Sequence, residues 1–298
     1  LYLPNSILSL MQNLIIPPTE GYELIDSGNG LRLERFGTRT VVRPDPSVLW
    51  APTTPQHPAW INPDARFMDV DGDRWKLRKG ELAEGWDIAF GRMKAHVKLT
   101  PFRHVGIFPE QAPNWDWIQE RCKRAVRTGS KIKVLNLFGY TGMASIAAAL
   151  SGAMVTHVDA SKSSVYWASE NAKASGLTDA IRWIVEDVQK FVAREIRRGA
   201  KYDLIIMDPP VFGRGTKGEI WRLEQDLPGL LNQVSKLVSN EFSGFLLNTY
   251  ATPLYPESML RIAEQALGGK AGDLKLFALC LEESESKKLL QSGYAVRS

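Results

Sequence analysis

From Lys133 onward the chain alternates short, nearly continuous apolar runs with amphipathic segments, and nothing else in it constrains the fold as tightly. Runs at 133–138, 154–159, 181–185, 202–207 and 244–248 have the length and composition of strands buried on both faces. Helical segments are predicted between them at 142–150, 161–174, 188–198, 223–238 and 256–267, and further strands at 274–281 and 294–297. This order predicts an α/β architecture, a Rossmann-like, doubly wound and mostly parallel sheet of about seven strands with helices on both faces.

The first third reads differently. Pro and Gly punctuate it at Gly28-Asn29-Gly30, Pro44-Asp45-Pro46, Pro52 to Pro58 and Asp71-Gly72, with short β-type runs at 31–36, 40–43, 74–77 and 96–99. Asp71-Gly72 between 67–70 and 74–77 is a hairpin signal. Residues 21–114 are therefore expected to form a small antiparallel β-rich domain, and 115–298 the sheet domain. Residues 1–20 are assigned to a leader or linker. Their apolar stretch is broken by Ser9, Gln12 and Asn13, short of the ~18–20 residues of a membrane span. Asn114 is predicted to cap a helix over 115–127. Six of nine Trp precede residue 121, which suits either a base-stacking surface or the aromatic core of a small module.

Charge is informative only once it is placed. There are 37 Lys+Arg against 33 Asp+Glu, a net charge of +4. Residues 121–133 carry Arg121, Lys123, Arg124, Arg127, Lys131 and Lys133 with no acid. A diffuse polycation is excluded and one local basic stripe is not. Two cysteines and four scattered histidines form neither a disulfide framework nor a zinc pattern, so no metal is expected and a cytoplasmic setting is.

Ligands of such sheets bind outside the strand carboxyl ends. The first parallel strand ends in Asn136-Leu137-Phe138-Gly139-Tyr140-Thr141-Gly142, which is neither a dinucleotide fingerprint nor a phosphate loop. A ligand poor in phosphate fits it better. The next strand ends in Asp159, followed by Ala160 and Ser161, and the third in Glu186-Asp187 before Val188. Each acid can cap the following helix or accept hydrogen bonds from ligand hydroxyl and amino groups, at about 1.5–3 kcal/mol per charge-assisted bond. Together they describe an adenosine without phosphate. The fourth strand ends in Asp208-Pro209-Pro210-Val211-Phe212. The prolines hold an extended chain that can offer carbonyls, with Asp208, to an amino group, while Phe212 can stack on a planar base.

NLFGYTG, HVDAS, VED and DPPVFGRG resemble the class I S-adenosylmethionine-dependent methyltransferases. They are similar in particular to the ribosomal RNA large-subunit enzymes acting on cytosine C5 or guanine N7. The resemblance covers about 170 residues and extends to His104–Gln111. It implies S-adenosyl-L-methionine as cofactor, with S-adenosyl-L-homocysteine as product. It places the methionine part by Asn136 and the 138–142 loop, the ribose at Asp159 with Ala160 and Ser161, and the adenine at Glu186, Asp187 and Val188. Phe108 and Gln111 would help close the pocket.

Two departures matter. Asn136 stands where an acid is usual. The stretch Asn248-Thr249-Tyr250-Ala251-Thr252 also lacks the thiol that cytosine C5 chemistry needs there, and Cys122 and Cys280 lie elsewhere. The expectation is methyl transfer to a base nitrogen of RNA, with rRNA the target that the resemblance implies. Asp208, Pro209, Pro210 and Phe212 would form the catalytic set, and Arg124, Arg127, Lys131, Arg214 and Lys217 the phosphate contacts. A protein or small-molecule acceptor, a non-catalytic relative and a homo-oligomer stay open. No membrane partner is expected.

Overall fold

The computed structural model describes residues 11–298 apart from 69–74, 79–81, 83, 102, 128, 130, 216–217 and 251–253. Two compact units result. Among the described residues, one comprises 11–14, Ala112–Leu279 and Ser292–Ser298; the other comprises Ile15–Gln111 and Cys280–Gln291.

In chain order the N-terminal elements are β1 (Gln12–Ile16), β2 (Tyr22–Gly28), β3 (Leu31–Phe36), β4 (Arg39–Pro44), α1 (Pro58–Ile61), β5 (Ala65–Phe67), β6 (Trp75–Leu77), β7 (Trp86–Phe90) and β8 (Met93–Val97). Strands β2 to β6 make a five-stranded sheet and β7–β8 a separate hairpin. Asn29 and Gly30 both have positive φ and join β2 to β3 as a two-residue turn. The expected antiparallel pattern has one exception: β4 and β5 run parallel, with α1 in the crossover between them. β5 and β6 pair antiparallel, and the Asp71-Gly72 turn lies outside the described residues. The indole N–H groups of Trp50, Trp60, Trp75 and Trp86 donate to Ser27, Asp26, Thr100 and Phe36. These tryptophans are framework.

The larger unit follows with α2 (Ala112–Arg127), β9 (Lys133–Leu137), α3 (Met143–Leu150), β10 (Met154–Asp159), α4 (Lys162–Ala174), β11 (Ile181–Val185), α5 (Val188–Arg197) and β12 (Leu204–Met207). A hairpin, β13 (Phe212–Arg214) and β14 (Ile220–Arg222), precedes α6 (Leu223–Val234), β15 (Gly244–Thr249), α7 (Pro256–Leu267), β16 (Lys275–Glu282) and β17 (Leu289–Arg297). The sheet has eight strands in the order β1-β16-β17-β15-β12-β9-β10-β11. Five are parallel, and β17 lies antiparallel on β15. The eighth strand is β1, so residues 12–16 belong to the sheet and not to a leader. An edge strand needs backbone pairing on one side only, which little in its side chains betrays.

Alternation along β9 fixes the two faces. Leu135 and Leu137 join one cluster with Phe191 and Val192 of α5, Leu227 and Leu231 of α6 and Met259 of α7. Asn136 points the other way, and its amide donates to Ser145 of α3 at 2.9 Å. The small side chains of α3, Ala147 to Ala149, are all buried.

Two boundaries differ from the linear reading. α2 begins at Ala112, so Asn114 is a buried residue inside the helix whose amide donates to Asn248 at 3.1 Å. It is not the cap. The tip of the β16–β17 hairpin, 280–291, groups with the β-rich unit, where Ser284 N–H donates to the Leu24 carbonyl at 2.8 Å. No division of the chain at a single residue can express that.

Candidate active site

The register levels the carboxyl ends of four strands. Leu137 pairs with Met207 on one side and Val158 on the other, and Asp159 pairs with Val185. Phe138, Asp159, Glu186 and Asp208 thus emerge along one edge. β9 is the switch point, where the order reverses direction. Asp159 and Asp208 flank it two strand spacings apart, roughly 10 Å.

Among the described residues of the unit, the loop after β9 is where non-glycine residues hold positive φ. Phe138 and Tyr140, neither a glycine, hold φ of 58° and 47°, and Gly142 holds 87°. Each non-glycine residue in that region costs about 1–3 kcal/mol and persists only where its surroundings enforce it. The enforcement is visible. A Cβ on Gly139 would lie 2.3 Å from the His157 ring, and one on Gly142 would lie 2.8 Å from Ala168 Cβ. The Tyr140 amide donates to Asp159 at 2.9 Å, and Asn171 of α4 donates to the Thr141 carbonyl at 3.0 Å. Underneath, His157 is fully buried, with Nδ1 3.0 Å from Ser145 Oγ. Burial pushes its pKa down to about 3, so the ring is neutral. Asn136, at 2% exposure, belongs to this supporting layer and not to the open edge.

Asp159 is built as an acceptor. One carboxylate oxygen takes the Tyr140 amide and the other the Ser161 amide at 2.8 Å. A carboxylate has about four lone-pair sites, so each oxygen retains one, the number a vicinal pair of ribose hydroxyls uses. Burial raises its pKa while the two amides pull it down. Tyr140 is pushed up to about 12 by burial and by this carboxylate, and stays neutral. Ser161 caps α4 through the Ser164 amide, with Ala160 between it and Asp159. Glu186 is ion-paired with Arg194, whereas Asp187 caps α5 through the Lys190 amide at 3.0 Å, directly before Val188. Of these strand-end acids, Asp187 alone caps a helix through its side chain. The donor set fits an adenosine: hydroxyl acceptors, a carboxylate beyond them, and no cationic phosphate cradle. Among the described residues no group of acids, histidines and cysteines could hold a metal.

Asp208 is half-buried beside this edge, and its amide donates to the Leu137 carbonyl. Pro209 is buried and Pro210 exposed. The Trp221 indole N–H donates to the Pro210 carbonyl at 2.7 Å and takes one of its two lone pairs. Trp221 itself, 6% exposed, packs on Phe138 with ring centroids 5.0 Å apart. It ties the β9 loop to the Asp208 loop. The sequence carries no signal for this role, since the residue lies 13 positions after Asp208 on a three-residue strand.

Phe212 is 51% exposed at the start of β13, and Arg214 stands on the same strand. Lys217 lies outside the described residues. Arg124, Arg127 and Lys131 are elsewhere: α2 ends at Arg127, and β9 enters the sheet at Lys133, the amino end. Lys131 and Lys133 line a groove of about 510 Å³ with Lys201, Asp203 and Glu241 at that end. Arg124 pairs with Glu120, and Arg121 donates to the Ser243 and Ser298 carbonyls. The stripe therefore does not join Arg214 beside the Asp208 loop. Phe108 and Gln111 belong to the β-rich unit, in and before the turn Pro109–Gln111. Both thiols are buried, and burial pushes Cys122 up to about 12, so neither is a ready nucleophile.

An open parallel sheet with a strained, phosphate-poor loop at its switch point and an acid after the second strand defines a class I methyltransferase fold. The chain belongs to the S-adenosylmethionine-dependent methyltransferase family, whose model matches residues 50–266. It is similar to the crystal structure of the S-adenosylmethionine-dependent methyltransferase from Agrobacterium tumefaciens, at 40% identity and a TM-score of 0.90. That match covers 97% of this chain and 95% of the other. It is also similar to ribosomal RNA large subunit methyltransferase K from Neisseria meningitidis serogroup B, at 24% identity over 76% of this chain and 68% of that protein. Methyltransferase K/L from Shewanella frigidimarina is 32% identical over 49% of this chain, but this match spans only 20% of that protein's length. The protein is an S-adenosylmethionine-dependent enzyme.

Proposed function

We propose that the acceptor is a base nitrogen in RNA, with ribosomal RNA the first candidate. The observation that carries this is the Asp208 strand end, which continues into an exposed Phe212 with no accessible thiol on the described part of that edge. The names of the K and K/L relatives support an rRNA substrate.

When bound, S-adenosylmethionine supplies a methyl group on a sulfonium, which a nitrogen lone pair can attack without a covalent enzyme intermediate. The protein's work is then mostly positioning, with reacting atoms held about 3–3.5 Å apart. Asp159 and the 138–142 loop hold the ribose and methionine ends, and Asp187 with Val188 the adenine. Glu186 orients Arg194 at the rim of that site. Asp208, with the Pro209 carbonyl, accepts from the acceptor's amino hydrogens and turns its lone pair inward, while Phe212 stacks on the base. Buried free thiols suit a reducing cytoplasm, and among the described residues no helix is long and apolar enough to cross a membrane.

The test is a tritium-transfer assay on total RNA from cells lacking the gene, followed by mass spectrometry of the nucleosides. A methylated base nitrogen in rRNA is the expected product. Transfer to protein instead, or to C5 of cytosine, rejects the proposal.

A further inference from the structure

The β13–β14 hairpin was not legible in the sequence, and its two faces are unlike. In the antiparallel register Phe212 pairs with Arg222, Gly213 with Trp221, and Arg214 with Ile220. Residues two apart share a face. Trp221 therefore turns inward, while Phe212, Arg214, Ile220 and Arg222 share the outer face. All four are exposed, the two apolar ones at 51% and 58%. They form a checkerboard, with the guanidiniums on one diagonal and the apolar side chains on the other. Diagonal neighbours across an antiparallel pair lie about 7–8 Å apart.

A solvated hairpin would not need this composition. Neither guanidinium is ion-paired among the described residues. The Arg222 guanidinium lies 5.9 Å from the Phe212 ring centroid. Nearby acids are otherwise engaged: Glu219 with Lys190, and Asp226 with the Arg222 amide at 2.7 Å. The platform is also fixed in place. Trp221 is locked to Pro210, and the Leu223 amide donates to the Val211 carbonyl at 3.0 Å. It therefore moves with the Asp208 loop.

We propose that this outer face is the bed for a single-stranded stretch of the RNA acceptor, and that Arg222 and Ile220 are substrate-positioning residues. The inference rests on the RNA reading above. Phe212 takes the face of one unstacked base and Ile220 the sugar or base of its neighbour. Arg214 and Arg222, diagonally placed, take the two flanking phosphates. Duplex RNA keeps its bases stacked and cannot use an exposed aromatic this way. One or two nucleotides fill the face, so it supplies a local share of the binding together with the orientation of the acceptor.

The experiment is fluorescence anisotropy of a labelled mixed-sequence 12-nucleotide single-stranded RNA, titrated with the full chain and S-adenosylhomocysteine from 50 to 200 mM salt. Each phosphate contact contributes about 0.7 to the log–log salt slope for single strands. Arg222→Ser is expected to weaken binding severalfold and to reduce the slope by about 0.7, Arg222→Lys to restore the slope, and Arg214→Ser to match Arg222→Ser. Phe212→Leu is expected to weaken binding about 5- to 100-fold with the slope unchanged, as loss of base stacking does. S-adenosylhomocysteine affinity should not move in any of the four, and no thermal melt should fall; Arg222→Ser, which places a serine at the N-cap of α6, should melt no lower than wild type. If Arg222→Ser and Arg214→Ser leave both affinity and slope unchanged, the platform is rejected. The same holds if wild-type protein methylates RNA but does not bind the 12-mer. If wild-type protein transfers no methyl group to any RNA, the RNA reading itself fails.

Discussion

The indole nitrogen of Trp221 stands 2.7 Å from the Pro210 carbonyl, so a residue buried under the β13–β14 hairpin holds the loop that follows Asp208. Its ring also meets Phe138 of the β9 loop. One side chain thus couples the β9 loop to the Asp208 loop.

Trp221→Phe keeps the ring and removes the donor. It is expected to cost about 1 kcal/mol in stability. Transfer should slow on the order of tenfold, because small misplacements of a reacting group are costly. S-adenosylmethionine affinity should stay within about twofold. Denaturant melts, single-turnover kinetics and calorimetry check the three together; equal loss of affinity and rate would mean that the contact serves the cofactor loop first.

Asp159→Ala removes the proposed ribose acceptor and the partner of two amides. Its S-adenosylmethionine affinity should drop by at least about 100-fold, from two charge-assisted bonds of about 1.5–3 kcal/mol each. Asp208→Ala should retain affinity and lose transfer. Calorimetry on both, beside the tritium assay, tests the division; matched losses of binding would contradict it.

The basic stripe gives a negative control. Five strand residues separate the two ends of β9, roughly 16 Å at ~3.3 Å per residue and about twice the screening length at physiological salt. Replacing Arg124, Arg127 and Lys131 together by Ser should leave 12-nucleotide RNA affinity within about twofold at 150 mM salt. A larger fall would bring the amino-end groove into the substrate path.

His157 gives a pH signature. Its folded pKa lies near 3, below the unfolded value of about 6.5, so the unfolded chain binds a proton that the folded one refuses. Its contribution to stability is then full above about pH 6.5 and is lost progressively as pH falls toward 3. Between pH 7 and 5 this single group costs about 2 kcal/mol. In His157→Gln the stability loss relative to wild type should therefore be smaller at pH 5 than at pH 7 by about that amount, read from urea melts at both values. Parallel losses at the two pH values would show that the ring is not held neutral.

Much of this was legible along the chain, for a physical reason. β10, β11 and α7 fall where their apolar periodicity put them, because a strand buried on both faces or a helix with one apolar stripe writes its packing into consecutive residues. The strand-end loops were legible too, since Asp159 and Asp208 follow directly on such strands. Pairings between distant segments were not. Edge strand β1 shows little pattern because one side needs no partner. The β13–β14 hairpin escapes because three-residue strands are too short to carry a period. The sequence by itself determined an α/β sheet with a glycine-poor loop after its first parallel strand and acids at the ends of the next strands. Only the tertiary structure decided that the basic stripe opens at the other end of the sheet. It alone tied the Pro210 carbonyl to Trp221 and set two arginines and two apolar side chains on one exposed face. Those outcomes depend on register and strand direction, which are settled by long-range packing that no local window contains.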